Sequence, residues 1–63
     1  MNVDKALELY KDGKYSEAID EFSNVLEHEG DNAELYNNIG LCYANLSEDE
    51  KAEKNYLKAL QIN

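Results

Sequence analysis

The stretch GKYSEAIDEFSNVLE, residues 13–27, decides the fold, because an altered copy of it, SEDEKAEKNYLKALQ, follows at residues 47–61. The two copies align when Gly13 is placed on Ser47, and the same shift also pairs residues upstream of the stretch. Small side chains coincide with small ones, leucine with leucine and aromatic with aromatic in these pairs: Ala6 and Gly40, Leu7 and Leu41, Ala18 and Ala52, Phe22 and Tyr56, Leu26 and Leu60. The repeat therefore spans nearly the whole chain and not one helix.

Length and composition limit the class of protein. A chain of 63 residues forms one domain at most, and a domain this small buries only about 60% of its unfolded surface. Its one cysteine, Cys42, can form no intramolecular disulfide, and too few cysteine and histidine side chains are present for a zinc cage. No apolar run approaches the roughly 20 residues of a spanning helix. We expect a soluble protein of the reducing cytoplasm, with no membrane partner and no cofactor.

The charge distribution narrows the choice of partner. Fourteen acids against six lysines give a net charge of -8, and no arginine is present for bidentate phosphate contacts. Nucleic acid is therefore not an expected partner. Residues 1–32 hold nine acids and three lysines, net -6, while residues 33–63 hold five and three, net -2. The negative electrostatic field of the chain favours a neutral or basic partner. A solvated acidic surface that keeps a small protein soluble explains the same excess of acids.

Apolar residues recur at helical spacing in four segments, and no strand pattern is present. The first segment ends near Asp12 and Gly13, the second ends at Gly30, and both glycines are suitable helix stops. Two pairs resemble capping boxes, Asp31 with Glu34 and Ser47 with Glu50, and they predict the starts of the third and fourth helices. The predicted buried stripes are Val3, Ala6, Leu7, Tyr10; Tyr15, Ala18, Ile19, Phe22, Val25, Leu26; Leu35, Tyr36, Ile39, Tyr43, Leu46; and Ala52, Tyr56, Ala59, Leu60.

Short connections make successive helices antiparallel, and two hairpins of one design stack side by side. Gly40 lies inside the third helix, where glycine costs about 1 kcal/mol relative to alanine. Close approach of a large neighbouring side chain explains such a glycine. The predicted fold class is all-α, with two antiparallel helix-turn-helix hairpins stacked as a short right-handed α-solenoid. The predicted domain is residues 1–63, with repeat one at residues 1–32 and repeat two at residues 33–63.

This pattern resembles the tetratricopeptide repeat family, whose units are helix-turn-helix hairpins with a 34-residue period. Repeat two carries the resemblance best, through Tyr36, Ile39, Gly40, Tyr43, Ala52, Tyr56 and Ala59. Repeat one matches at Ala6, Leu9, Gly13, Tyr15, Ala18 and Phe22. Asn2 and Lys5 stand where the family has an aromatic residue and a leucine, so the first turn of repeat one departs from the pattern.

The resemblance implies an interaction module whose inner helices, the first and third, line a concave groove for a peptide or helix of a partner protein. Carried over by position, the groove candidates are Val3, Leu7, Tyr10, Lys11, Glu34, Asn37, Asn38, Leu41, Ala44 and Asn45. Asparagine offers both a hydrogen-bond donor and an acceptor to a peptide backbone, and leucine and tyrosine can seat an apolar side chain.

An alternative is a structural role in self-assembly. Stacked repeats leave an apolar end face unless a polar helix covers it, and stable stacks usually need about three units. Leu57 stands where repeat one has Ser23, and Ile62 where it has His28, so the last helix is the more apolar of the pair. Leu57, Leu60 and Ile62 are the self-association candidates for a homodimer or larger homo-oligomer. A fragment of a longer array explains the same face.

The sequence does not indicate an enzyme. His28 has no nucleophile or spaced ligand near it in the pattern, and we expect it on the surface near a helix end. Glu48, Asp49 and Glu50 fall in a first helical turn, where the helix dipole already favours acids. Cys42 is expected to act as a small apolar filler. No catalytic, cofactor-binding or metal-binding residues are predicted.

Overall fold

The computed structural model describes residues 3–62, which contain four α-helices and no strand. The helices are α1 (Asp4–Lys11), α2 (Tyr15–Glu29), α3 (Ala33–Asn45) and α4 (Asp49–Ile62). Each connection, 12–14, 30–32 and 46–48, is three residues long. Connections this short turn each helix back along its predecessor, so α1 with α2 and α3 with α4 form antiparallel hairpins. The predicted all-α fold of two helical hairpins is confirmed.

The cap of α3 lies one residue later than the sequence pattern predicted. The backbone at Asn32 is extended, with φ -150° and ψ 122°, and its side-chain oxygen accepts the Leu35 amide at 3.1 Å. Asn32 is therefore the N-cap of α3. Asp31 instead accepts a hydrogen bond from the Tyr36 hydroxyl at 2.9 Å. The predicted capping box of Asp31 with Glu34 was wrong, because Asn32 caps the helix and the Asp31 carboxylate is bound to the Tyr36 hydroxyl instead.

The predicted capping box of Ser47 with Glu50 was also wrong. Ser47 has φ +62°, in the left-handed region, whereas an N-cap residue is extended. Its amide donates to the Ala44 carbonyl at 3.0 Å, and the next amide, of Glu48, donates to Tyr43 at 2.9 Å. This pair of bonds closes the C-terminus of α3 in a Schellman motif. The first bond of α4 runs from the Ala52 amide to the carbonyl of Glu48, at 3.0 Å.

The start of α1 has no side-chain cap. Val3 occupies the N-cap position without a capping hydrogen bond. Asp4 lies in the first turn, where the helix dipole stabilises a carboxylate. The other end of α1 closes at Gly13, which has φ +79°. The amides of Gly13 and Lys14 bond the carbonyls of Tyr10 and Leu9, the same pair of bonds that closes α3.

The helices pack in chain order, α1 on α2, α2 on α3 and α3 on α4. The molecule measures 28 × 28 × 13 Å. Its thickness equals one interaxial distance of about 8–10 Å plus a Cα radius of about 2.3 Å on either side, so the helices form two layers. Packing in chain order within two layers places α1 and α3 on one side and α2 and α4 on the other.

One apolar cluster joins three helices. Its buried members are Ala6, Ala18, Ile19, Phe22, Val25, Leu35, Ile39 and Cys42. Phe22 and Cys42 are its largest fully buried side chains, and α2 supplies four of the eight members. Because α2 contacts both α1 and α3, it is the helix that holds these two in their relative positions.

Gly40 allows the two helices of the second hairpin, α3 and α4, to approach each other closely. A Cβ atom built on Gly40 would lie 2.6 Å from Cε1 of Tyr56 and 2.8 Å from Cδ1. Real Cβ atoms do not approach a ring this closely, so only glycine lets α4 lie at its observed distance from α3. Ala52 and Ala59 are buried on the same side of α4. The predicted close approach at Gly40 is confirmed, and Tyr56 is the side chain that makes it.

Candidate functional site

The α1 and α3 side presents two leucines at equivalent positions of the repeat. Leu7 falls on Leu41 when the two hairpins are aligned, and each side chain is 37% exposed. Leu7 had been predicted in the buried stripe of α1, but Ala6 is the residue of α1 that is fully buried. The physical reason is the position of α2, which covers the face of α1 that carries Ala6. The same side chain was also a groove candidate, and it lines the depression described next.

A depression of about 240 Å³ opens where α1, α2 and α3 meet. We call it the inner groove, and its lining is Val3, Leu7, Val25, Glu29, Asn32, Glu34, Leu35 and Asn38. Valine and leucine side chains give it apolar walls, while carboxylates and amides give it polar groups for orientation. Small-ligand and peptide sites commonly combine these two kinds of lining. Four of the ten predicted groove residues, Val3, Leu7, Glu34 and Asn38, come together here.

The three predicted asparagines are divided between different surroundings. Asn38 is half-buried in the inner groove. Asn37 is exposed and lies toward α4. The side-chain amide of Asn45 donates to the carbonyl of Leu41 at 2.8 Å, within α3 itself. Asn45 therefore uses one amide N–H within the helix and keeps its other N–H and its carbonyl oxygen for a ligand.

The remaining groove candidates lie at the other end of this side. Tyr10 is half-buried, packs on the apolar cluster and meets the ring of Tyr15 edge to face, with centroids 5.5 Å apart and planes at 70°. Such a pair contributes to packing as well as offering surface. Lys11 and Ala44 are exposed. None of these three lines the inner groove.

A second depression, of about 500 Å³, lies between α3 and α4 at the end of the stack. We call it the end groove, and its lining is Ala33, Glu34, Asn37, Tyr56, Ala59 and Leu60. Leu60 is 71% exposed at its edge. Glu34 belongs to both grooves, so the N-terminal part of α3 is the wall that separates them.

Comparison with protein families decides what these hairpins are. A family model described as "TPR repeat" matches residues 6–47, which is 42 of the 63 residues, and a model described as "Tetratricopeptide repeat" matches residues 33–63. The chain belongs to the tetratricopeptide repeat family. Tetratricopeptide repeats generally mediate interactions between proteins, and the family is typically not catalytic. No curated protein and no solved structure matches the chain.

The self-association candidates of this tetratricopeptide repeat protein do not share one face. Leu57, Leu60 and Ile62 are all exposed, at 51%, 71% and 43%. A helix turns by about 100° per residue, which sets Leu57 and Leu60 about 60° apart but Ile62 about 160° from Leu60. Leu57 and Leu60 therefore form a continuous strip, and Ile62 lies on nearly the opposite side of α4.

Some residues that line the tetratricopeptide grooves were assigned by sequence to other roles. Val25 and Leu35 were predicted as core, and each is buried yet reaches the inner groove with part of its surface. Asn32 caps α3 and lines the groove as well. These three lie near helix ends where α2 passes into α3, and the short connection between two stripes was the signal that could have indicated them.

A third depression, of about 410 Å³, lies between α2 and α3 on the outer side and was not predicted. Its lining is Asp20, Ser23, Asn24, Leu26, Glu27, Asp31 and Tyr36. The hydroxyl of Tyr36 donates a hydrogen bond to Asp31, and this bond raises the pKa of Tyr36. Nζ of Lys58 lies 5.4 Å from the centroid of the Tyr36 ring. Tyr36 thus interacts with a carboxylate just before α3 and with an ammonium group of α4.

The side chains of Cys42, His28 and Lys51 carry groups that could react, but each is buried or has a hydrogen-bond partner. Cys42 is fully buried, and burial raises its pKa to about 11, so the thiol is protonated at neutral pH. His28 is exposed at the end of α2, as predicted, and its Nδ1 lies 2.9 Å from the Asn24 carbonyl. The hydrogen bond with Glu48, at 3.1 Å, raises the pKa of Lys51. Within residues 3–62 no group of acids, cysteine and histidine is arranged to hold a metal ion.

Proposed function

We propose that the chain is a protein-binding module that holds a peptide or helix of a partner protein in the inner groove and along the exposed side of α1 and α3. The observation that carries the proposal is the matched exposure of Leu7 and Leu41, 37% each, at equivalent positions of the two hairpins. A single exposed leucine is ordinary on a protein surface. Two equivalent ones on the side with the inner groove form a pattern that repeats with the fold.

The polar lining supports the same function. Asn38 and Asn32 contribute amides, and Glu29 and Glu34 contribute carboxylates, around the apolar walls. A peptide backbone needs both donors and acceptors, which an amide side chain offers together. Apolar contacts supply affinity, and the polar groups set the register of the bound chain.

The charge of the chain favours a neutral or basic partner. Residues 1–32, which contain α1 and α2, carry a net charge of -6. A negative surface increases the association rate of basic partners and repels acidic ones such as nucleic acid. A reducing compartment such as the cytoplasm suits a chain whose one cysteine is a buried free thiol. In the part of the chain that the structure describes, no helix has the length and apolarity needed to cross a membrane.

A displayed library of short random peptides, selected on the folded chain, tests the proposal. We expect the selected peptides to share an apolar residue next to lysine or arginine. Leu7→Glu and Leu41→Glu should each weaken binding of a synthetic consensus peptide by about tenfold, since each places a carboxylate at an apolar contact. Leu57→Glu is the matched control, because Leu57 is also exposed but lies on α4. Equal binding by the wild type and both groove variants would contradict the proposal.

The strip formed by Leu57 and Leu60 favours a second candidate, self-assembly of the chain into a homodimer. These are the two most exposed large apolar side chains among the described residues. Sedimentation equilibrium over a range of concentrations tests it, and Leu57→Glu should shift any dimer to monomer. A mass that stays monomeric at every concentration would reject this candidate.

A further inference from the structure

The first hairpin has a surface equivalent to the end groove, and there a helix covers it. Tyr56, Ala59 and Leu60 of α4 correspond, in the alignment of the two hairpins, to Phe22, Val25 and Leu26 of α2. α3 of the second hairpin packs on these side chains of α2. The exposed fractions of Phe22 and Val25 are 0% and 2%. In the second hairpin Ala59 is also buried, but Tyr56 is partly exposed, and Leu60 is 71% exposed where Leu26 is half-buried. The end groove therefore repeats a surface that α3 covers one repeat earlier, and no helix within residues 3–62 covers it.

The covering helix in the first hairpin defines the apolar pattern that fits. Leu35, Ile39 and Cys42 of α3 belong to the same buried cluster as Phe22 and Val25. They are spaced at i, i+4 and i+7, which is one face of a helix. An occupant of the end groove needs the same spacing of apolar side chains, and an extended peptide does not have it.

The charges beside the end groove define the rest of the occupant. Glu34 lines the groove on the α3 side. Glu53 lies three residues before Tyr56 and seven before Leu60, on the same ridge of α4. None of the three lysines of α4 lines the end groove. Lys51 pairs with Glu48, and Lys58 lies over the ring of Tyr36. Glu34 in the lining and Glu53 beside it on α4 favour a helix with lysine or arginine beside its apolar stripe.

A second copy of the chain does not supply that helix through α1. The residues of α1 that correspond to Ile39 and Cys42 of α3 are Lys5 and Glu8. Lys5 already pairs with Glu21 of its own chain, at 3.7 Å. Stacking α1 of another copy on the end groove would bury two charged side chains against Tyr56 and Ala59, which costs free energy that no contact returns.

We propose that the end groove binds a basic amphipathic helix of a partner protein, whose apolar side chains at i, i+4 and i+7 pack on Tyr56, Ala59 and Leu60. This surface lies on the other side of Glu34 from the inner groove. The proposal does not depend on the binding function proposed for the inner groove, and a chain can use both surfaces at once.

Titration of the folded chain with a synthetic helix tests the proposal. The probe is a lysine-rich peptide of about 18 residues with leucine at i, i+4, i+7 and i+11, long enough to have measurable helicity alone. We expect binding by fluorescence anisotropy and a gain in helical circular dichroism. Backbone amide shifts should change in residues 33–37 and 53–60, and not around Leu7.

Two exposed apolar residues of α4 provide a matched pair of variants. Leu60→Glu should weaken binding by about tenfold or more, because it places a carboxylate in the apolar contact. Ile62→Glu makes the same change about 160° around the helix, and binding should stay within about twofold of wild type. Both sites are exposed, so neither change removes a buried side chain.

Two control peptides separate the occupants. A peptide of the same composition with its leucines scattered around the helix, and one with glutamate in place of lysine, should each bind about tenfold more weakly than the probe, or weaker still. Equal binding of the scattered peptide would overturn the proposal, as would equal binding by Leu60→Glu. A wild-type chain that covers Leu60 by pairing with its own copy in sedimentation, with no shift changes on adding the probe, would also overturn it.

Discussion

Ser47 holds a left-handed backbone conformation that glycine holds at the equivalent position of the first hairpin. Ser47 has φ +62° and Gly13 has φ +79°, and the amide hydrogen bonds around them are the same pair. A residue with a Cβ pays about 1–2 kcal/mol for this conformation. The second hairpin therefore carries backbone strain at a turn that the first hairpin makes without it.

Replacing Ser47 by glycine should stabilise the protein. The expected gain in unfolding free energy is about 0.5–1 kcal/mol, because relief of the left-handed strain exceeds the added entropy of a glycine in the unfolded chain. Urea unfolding followed by circular dichroism measures it. Ser47→Ala is the control, since it keeps the Cβ and should give no gain. Gly13→Ser should lower the stability by a similar amount, and a stabilising effect of that change would contradict the argument.

At the scale of the helix pair, Gly40 sets how closely α4 approaches α3. Gly40→Ala gains about 1 kcal/mol of helix propensity. It also forces a Cβ to within 2.6 Å of the Tyr56 ring, and overpacking of this kind costs about 1–3 kcal/mol. We expect a net loss of about 1 kcal/mol in unfolding free energy, measured by urea titration.

A double-mutant cycle separates the two effects. In a Tyr56→Ala background the ring is absent, so Gly40→Ala should become stabilising by up to about 1 kcal/mol. Stabilisation in both backgrounds would mean that the ring moves aside at little cost, and destabilisation in both would mean that the ring is not the source of the loss. The first hairpin has Ala6 and Phe22 at the equivalent positions, both fully buried, so its two helices make room for the extra methyl group.

The helices could be predicted from sequence because their apolar periodicity is carried by many residues, whereas each end depends on one. Asp31 and Asn32 are both good N-cap residues, and the pattern alone does not choose between them. The choice is made by the path of the chain after Gly30, which is extended at Asn32. Ser47 was read as a cap from its side chain, although the alignment of the two hairpins places it on Gly13 and so indicated a turn.

For the whole molecule, the surfaces were harder to predict than the fold. The groove candidates were assigned to one side of the stack, yet Asn37 and Glu34 line the end groove, while Val25, Asn32 and Leu35 reach the inner groove. Which part of a helix stays open depends on where the next helix lies, and that position follows from packing distances such as the one at Gly40. Periodicity gives the buried stripe of a helix but not the edge at which a neighbour stops covering it.

Global stability should depend on pH through Cys42, the one buried titratable group among residues 3–62. Cys42 is fully buried, and burial raises its pKa from 9.0 to about 11. Because the folded-state pKa is raised, its contribution is complete below pH 9 and is lost as pH rises from about 9 to about 11. In so small a protein solvent lies close to the thiol, so we expect a loss of about 1–2 kcal/mol, less than the full shift implies.

Urea unfolding of the wild type and of Cys42→Ala at pH 8 and at pH 11 measures this loss. Tyr36 and Lys51 also have raised pKa values and reduce stability over part of the same range, but they do so equally in both proteins. The difference in unfolding free energy between the two proteins should therefore shift by about 1–2 kcal/mol in favour of Cys42→Ala as the pH rises. A difference that stays constant would show that solvent reaches the thiol in the folded state, and that Cys42 is less enclosed between α2 and α3 than its burial indicates.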